Sequence, residues 1–252
     1  MVTAKINALI TGGALRLGRA IALDLAERGF GVAIHANSSV DEAQQLADEI
    51  QSEGGRAWAV QADLSKSEQA VAAIEEALSL AGNVDILVNN ASIFEPDTVD
   101  DLNEELWDQH FNIHLKSPTF MSNALAQHLG DAEGLIVNII DQRVWRLNPT
   151  FFSYTLSKSA LWTATQTMAQ ALGPNIRVNA IGPGPTLKND RQNDEDLRQQ
   201  VDALILQRGP DLSEFGATIR YLWEAKSVTG QMIALDGGQH LAWKTPDTNA
   251  KE

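Results

Sequence analysis

Short apolar runs alternate with longer amphipathic stretches along this chain. The runs Ala8–Thr11, Gly31–His35, Ala57–Gln61, Ile86–Asn89, Leu135–Ile139, Ile176–Ala180 and Gln231–Leu235 are rich in Val, Ile and Ala. They scarcely alternate with polar residues, which is the pattern of parallel strands buried on both faces. Helical periodicity fills Gly18–Arg28, Val40–Ser52, Ser67–Ala81, Leu102–Leu129 and Ser153–Leu172. Strand–helix alternation predicts right-handed βαβ units and a doubly wound α/β sheet. No repeat, low-complexity tract or Pro/Gly-rich linker interrupts it, so residues 1–252 read as one domain. The rhythm breaks between 185 and 211, where the chain is polar and a short helix is expected over Asp194–Leu206. That insert follows the C-terminal end of a strand, where such sheets bind ligands, so it is expected to be a lid. The polar end, Thr245–Glu252, is expected to be loose.

Composition narrows the chemistry. Acidic side chains number 33 against 19 basic ones, a net charge of −14, and no Lys/Arg cluster offers a surface for phosphate backbones. Nucleic-acid binding as the main task is excluded on that ground. With no cysteine there is no thiolate nucleophile, disulfide or Cys-based metal site, and no metal is expected. No apolar run approaches the ~20 residues of a membrane helix. Only residues 1–4 precede the first apolar stretch, too few for a secretory signal, so a cytoplasmic protein is expected.

The first strand runs into Thr11-Gly12-Gly13-Ala14-Leu15-Arg16-Leu17-Gly18. Glycines at such a turn let backbone approach a pyrophosphate, and the helix that follows offers free N–H groups and a positive dipole end. A dinucleotide site is the expectation. An NAD site usually carries an acid about 20 residues further on, for the ribose hydroxyls. Here the second strand ends in His35-Ala36-Asn37-Ser38-Ser39, with no carboxylate before Asp41. Asp41 belongs in the first turn of the next helix, where an acid suits the dipole. A 2′-phosphate would meet no repulsion there, and Arg16 could attract it with help from Ser38 and Ser39. NADPH is therefore expected over NADH.

Tyr154 and Lys158 lie i, i+4 on one helix face. An ammonium beside a phenol is expected to lower its pKa from ~10 toward neutrality, so that the phenol can exchange a proton during hydride transfer. With these residues in view, the chain from about 5 to 243 resembles the classical short-chain dehydrogenase/reductase family. The resemblance rests on an ordered set: the Thr11–Gly18 turn, Ala62-Asp63-Leu64, Asn89-Asn90-Ala91, Tyr154/Lys158, Gly182-Pro183-Gly184-Pro185-Thr186 and Asp236-Gly237-Gly238. It implies a Rossmann-like, seven-stranded sheet in the order 3-2-1-4-5-6-7. It also implies cofactor contacts from Gly12, Leu17, Gly18, Leu64, Ala91, Ser92, Pro183 and Gly184. Asp63 would meet the adenine and Asn90 would lie along the cofactor. Lys158 would hold the nicotinamide ribose, and Thr186 the carboxamide.

Three departures narrow the resemblance. Arg16 stands where the turn usually has its central glycine, Asp141 where the catalytic serine stands 13 residues before the tyrosine, and His114 where a relay asparagine is usual. These deviations resemble the pteridine reductases and the bacterial dihydromonapterin reductases, as do Ser92 and Phe94 in Asn90-Ala91-Ser92-Ile93-Phe94. The resemblance implies reduction of a dihydropterin stacked between Phe94 and the nicotinamide. Tyr154, hydrogen-bonded to Asp141, would deliver a proton to a ring nitrogen. A carboxyl whose pKa is raised by a semi-buried site can assist where serine cannot. Arg16, Ser92 and Leu187 would touch the substrate, His114 would relay protons, and the lid around Leu187–Arg198 would read the pterin side chain. A homotetramer is implied, with the helices at 102–129 and 153–172 as contact surface; Trp107, Phe111, Met121 and Trp162 serve that surface or the chain's own core. Two other functions remain in view. One is a carbonyl or 3-oxoacyl thioester reductase, against which an ionised Asp141 would repel the developing alkoxide. The other is a non-catalytic NADPH-binding regulator, disfavoured by the intact Tyr154 and Lys158.

Overall fold

The computed structural model describes residues 5–188 and 191–243. Seven parallel strands form a single sheet in the order β3-β2-β1-β4-β5-β6-β7. They are β1 (Asn7–Ile10), β2 (Gly31–Ala36), β3 (Arg56–Gln61), β4 (Ile86–Asn89), β5 (Gly134–Ile139), β6 (Ile176–Pro183) and β7 (Met232–Leu235). The expected fold class and strand order hold.

Strand side chains alternate between two hydrophobic cores. Ala8, Ile10, Val32, Ile34, Ile86, Val88, Leu135 and Val137 face the first. It is closed by α1 (Arg16–Glu27), α2 (Val40–Ser52) and α8 (Leu212–Glu224). Leu9, Ala33, Leu87 and Ile136 face the second, closed by α3 (Ser67–Ala81), α5 (Ser117–Leu129) and α6 (Phe152–Leu172). Each strand is thus apolar on both sides, which is why the sequence shows runs rather than alternation.

The structure departs from the sequence expectations in three places. The stretch read as one helix over Leu102–Leu129 is α4 (Glu104–Phe111), a π-helical turn (Asn112–Lys116) and α5. Helix α8 was not expected. Its signal is a capping box, with Asp211 and Glu214 satisfying each other's backbone N–H, followed by Phe215, Ile219 and Leu222 at core spacing. Gly216 obscures that signal. A Cβ there would sit 2.1 Å from an Asp24 carboxylate oxygen, so glycine lets α8 lie close against α1, where Arg220 pairs with Asp24. The insert expected to be a lid holds a shorter helix than expected, α7 (Asp194–Asp202). Among the candidate contact residues, Met121 is fully buried in the second core. Trp107 stacks on Phe111 with ring centroids 4.8 Å apart. The expected loose end, 245–252, lies outside the described residues. No helix of the described residues is long and apolar enough to cross a membrane.

One buried side chain fixes the turn after β1. His35, at the end of β2, accepts a hydrogen bond from Gly12 N–H at Nδ1 (3.1 Å). Its Nε2 stands 3.0 Å from Ala62 O, so that nitrogen carries the hydrogen and donates. The ring must be neutral to do both, and burial lowers its pKa to about 4. Between pH 6.5 and 4 the unfolded chain binds the proton and the folded one does not, so stability falls as the pH drops through that window. From pH 6.5 to 5 the loss attributable to His35 is about 2 kcal/mol. Urea unfolding at the two pH values is expected to show this loss in the wild type and a loss smaller by that amount in His35→Gln.

Candidate active site

All strand C-termini lie at one sheet edge, and the site is built there. A cleft of about 1010 Å³ runs from the glycine turn to the lid. A smaller hollow of about 320 Å³ shares Gly12, Leu15, Ala91, Ser92 and Ile93 with it, so the two form one trough.

The glycine turn is shaped for close approach. Gly12 has φ +59, and a Cβ on Gly18 would lie 2.0 Å from Gly12 O. Asn90 secures the turn from below, its side-chain amide donating to Thr11 O (2.9 Å) and Gly12 O (3.0 Å). The backbone N–H groups of Asn90 and Ala91 both donate to Thr11 Oγ1. No acid stands in the first turn of α1, so the free N–H groups there remain open to an anion. Arg16, Leu17 and Gly18 line the cleft, as do Pro183, Gly184, Thr186 and Leu187 after β6.

The hollow is lined by Asn37, Ser38, Ser39, Asp63 and Leu64, all expected at the cofactor. Asp63 accepts from the N–H and Oγ of Ser65, and these bonds hold its carboxyl below the usual range. Asp41 lies in the first turn of α2, as expected. Arg16 is placed otherwise than expected. Its Nη2 donates to Lys188 O at 3.0 Å, and it lines the cleft rather than the hollow. It therefore faces the lid, not the segment Asn37–Ser39. Its φ is +51, a left-handed conformation that costs a non-glycine residue about 1 kcal/mol.

On the floor of the cleft, Tyr154 and Lys158 come from α6 and Asp141 from the end of β5. Tyr154 OH donates to Asp141 Oδ2 at 3.0 Å. Asp141 also accepts from the backbone N–H of Arg143 at Oδ1 (2.8 Å) and from Arg143 Nη1 at Oδ2 (3.0 Å). Lys158 is buried, and its Nζ donates to Ile139 O at 2.9 Å, 5.8 Å from the Tyr154 ring centre. Burial lowers the ammonium pKa to about 8, against the pull of Asp141. The expectation for Tyr154 is corrected. Burial, and next the Asp141 charge, push the phenol well above its ordinary value, opposed by Arg143. The phenol is thus held protonated, as a donor.

His114 lies behind this floor, in the π-helical turn, a type of helical irregularity that recurs at functional sites. Its Nε2 accepts from Ile93 N–H (3.2 Å) and faces Ser92 Oγ (2.9 Å), and its Nδ1 faces Ser157 Oγ (2.9 Å). Because Nε2 already accepts from a backbone amide, the hydrogen sits on Nδ1. Burial, with Lys158 and His110 adding positive charge nearby, lowers its pKa well below the ordinary value. His114 is therefore a neutral acceptor that orients Ser92.

Several lining residues were absent from the sequence expectations. Phe151 stacks on Phe94 with centroids 4.3 Å apart and planes 6° from parallel. That stack occupies one face of Phe94, and the Arg191 guanidinium carbon lies 5.5 Å from the centre of the same ring. Arg191 from the lid donates to Phe94 O and pairs with Glu95 at 2.8 Å. The Arg143 guanidinium carbon lies beside the same stack, 5.1 Å and 5.3 Å from the two ring centres. Nothing in local spacing flags these residues; the signal for Arg143 is its position two residues beyond Asp141.

A sequence model described as short chain dehydrogenase matches residues 6–199. The chain is 56% identical to FolM alternative dihydrofolate reductase 1 from Brucella canis, crystallised with NADP, with a TM-score of 0.94 over 97% of this chain and 98% of that one. The Brucella suis protein, also in complex with NADP, gives the same identity and TM-score over 98% and 99% of the two chains. A 3-oxoacyl-[acyl-carrier-protein] reductase of Staphylococcus epidermidis is 32% identical over 242 residues, 93% of this chain and 99% of its own length. With the strand order, the glycine turn and the Tyr154/Lys158 pair in place, the chain belongs to the short-chain dehydrogenase family.

Proposed function

We propose that this oxidoreductase uses NADPH to reduce a dihydropterin to its tetrahydro form, with dihydromonapterin as the leading candidate and dihydrobiopterin and dihydrofolate as further ones. The observation that carries the reading is the Asp141–Tyr154 hydrogen bond on the cleft floor, where a carbonyl reductase of this family keeps a serine. The 56% identity to proteins named alternative dihydrofolate reductase, crystallised with NADP, supports it. The residues present fit the dinucleotide. Gly12 and Gly18 leave a cradle that a Cβ would fill, the start of α1 is free of acids, and Ser38 and Ser39 offer hydroxyls at the hollow.

When bound, NADPH supplies a hydride to a ring carbon of the C=N bond. The protein's own residues manage the proton that must reach the adjacent nitrogen. Tyr154 enters with its hydroxyl hydrogen in place and hands it toward that nitrogen. With the proton arriving ahead of the hydride, Asp141, facing the same oxygen, steers the phenol and stabilises the positive charge of the protonated C=N group. Lys158 lies below, and its charge favours the phenolate left behind. Ser92, oriented by His114, can turn its hydroxyl toward the phenolate oxygen. Phe94 and Phe151 line the cleft and give the flat ring an aromatic wall to pack against. Assembly as a homotetramer belongs to the same reading, supported by exposed Phe120 and Leu156 on α5 and α6.

The test is NADPH oxidation followed at 340 nm with dihydromonapterin, dihydrobiopterin, dihydrofolate and an acetoacetyl thioester. Turnover of the thioester alone would reject the dihydropterin reading. Tyr154→Phe and Asp141→Ala are each expected to lower kcat on the dihydropterin by about 10²–10⁴-fold. Full turnover by Asp141→Ala would refute its assigned role. Gly18→Ala places a Cβ against Gly12 O and is expected to weaken NADPH binding at least tenfold, read by fluorescence titration, with little change in the far-UV spectrum.

A further inference from the structure

Arg143 sits in the short 3-10 turn Gln142–Val144 directly after Asp141. It supplies two of the three hydrogen bonds that Asp141 accepts: the main-chain N–H to Oδ1 and the guanidinium Nη1 to Oδ2. The third donor, Tyr154 OH, shares Oδ2 with that guanidinium. The side chain is largely covered, with 22% of its surface exposed, against 12% for Asp141. Its guanidinium carbon lies 5.1 Å and 5.3 Å from the ring centres of Phe94 and Phe151. Arginine suits this place because a flat, weakly hydrated cation can lie against aromatic rings and bond a carboxylate at once.

We propose that Arg143 is the positioning residue of the Asp141–Tyr154 pair. It fixes the Asp141 carboxylate as an acceptor for the Tyr154 hydroxyl and supplies the positive charge that lets the phenol part with its proton. The inference rests on that pair being the proton-transfer pair of the proposed function. Without Arg143, Oδ2 would turn an uncompensated charge on Tyr154 and oppose phenolate formation, while Asp141 would lose two points of attachment. Other groups face the pair from neighbouring elements. Lys158 approaches from α6, His110 from α4, His114 from the π-helical turn and Ser92 from the loop after β4. Burial disfavours the charged form of both histidines, so Lys158 and Arg143 carry the positive charge at this floor.

The test compares kcat and kcat/KM between pH 5 and 10 for wild type, Arg143→Ala, Arg143→Gln and Arg143→Lys, with saturating NADPH and 7,8-dihydrobiopterin as probe. Arg143→Ala is expected to lower kcat about 10–100-fold, with the NADPH KM within about twofold of wild type. The alkaline limb of its kcat profile is expected to move to higher pH by about one unit, since a lost cation disfavours deprotonation of the neighbouring Lys158 ammonium, whose pKa burial lowers to about 8, as well as of the phenol. Arg143→Gln is expected to show the same displacement. Arg143→Lys is expected to return the profile toward wild type while recovering only part of kcat, because an ammonium cannot bond the carboxylate and lie flat on the rings together. Profiles of Arg143→Ala and Arg143→Gln that superimpose on wild type would overturn the proposal, as would an Arg143→Lys profile displaced as far as the neutral variants. Should Arg143→Ala fold poorly, the Gln and Lys variants, of similar length, decide the matter between them. A wild type that turns over acetoacetyl thioester and no dihydropterin would overturn the substrate reading alone. The same comparison then runs on the thioester, because it concerns the pair and not the substrate.

Discussion

Strands running one way force every strand end to the same edge, and that constraint organises the molecule. Both faces of the sheet are covered by helices and both cores are apolar, so neither face can hold chemistry. Polar function is confined to the rim where β1 to β6 release the chain. Gly12 and Arg16, Asn37–Ser39, Asp63 and Leu64, Asn90–Phe94, Asp141–Arg143 and Gly184–Leu187 follow those six strands in turn. Tyr154 and Lys158 are the exceptions. They reach the rim from the side, near the start of the long helix α6.

Confinement at a half-buried rim sets the electrostatics. A largely buried carboxylate needs donors, and the backbone of the next turn supplies one to Asp141 without any side-chain entropy. Burial raises the phenol and lowers the two lysine and histidine neighbours, each shift disfavouring the charged form. The resulting ground state has Tyr154 protonated, which is the state a reductase needs at the start of its cycle. A chain with net charge −14 gains little from its overall field when an anionic cofactor approaches. Attraction must come from local features, and the exposed start of α1 and the buried Lys158 are such features.

Much of this was legible in the chain. The apolar runs gave the strands because burial on both faces leaves a run, and the ordered glycine, Asn-Asn-Ala and Tyr/Lys segments gave the family. Tyr154 and Lys158 are flagged by their i, i+4 spacing and Asp141 by its place in the family pattern, and the structure sets Asp141 within hydrogen-bond distance of Tyr154. What escaped depends on three-dimensional neighbours. His114 was legible as an unusual residue, yet its role turns on the Ile93 amide, which fixes the tautomer. The effect expected of Lys158 on Tyr154 followed from i, i+4 proximity alone. It fails because burial and the Asp141 charge, 3.0 Å from the hydroxyl, both disfavour the phenolate. Helix α8 was obscured by Gly216, whose reason is the neighbouring Asp24 on another helix.

The lid shows how such neighbours join two halves of a site. Arg16 reaches from the glycine turn to Lys188 O, and Arg191 reaches from the lid to Phe94 O and Glu95 on the opposite wall. One arm starts at the glycine turn, the other ends at the Phe94–Phe151 stack. An arginine in left-handed backbone is a costly choice where glycine would serve, unless its side chain does something glycine cannot. Here it spans the cleft. The same bond that draws Arg16 away from the Asn37–Ser39 hollow ties the glycine turn to Lys188. Lys188 and Arg191 thereby join the glycine turn on one wall of the cleft to Phe94 and Glu95 on the other.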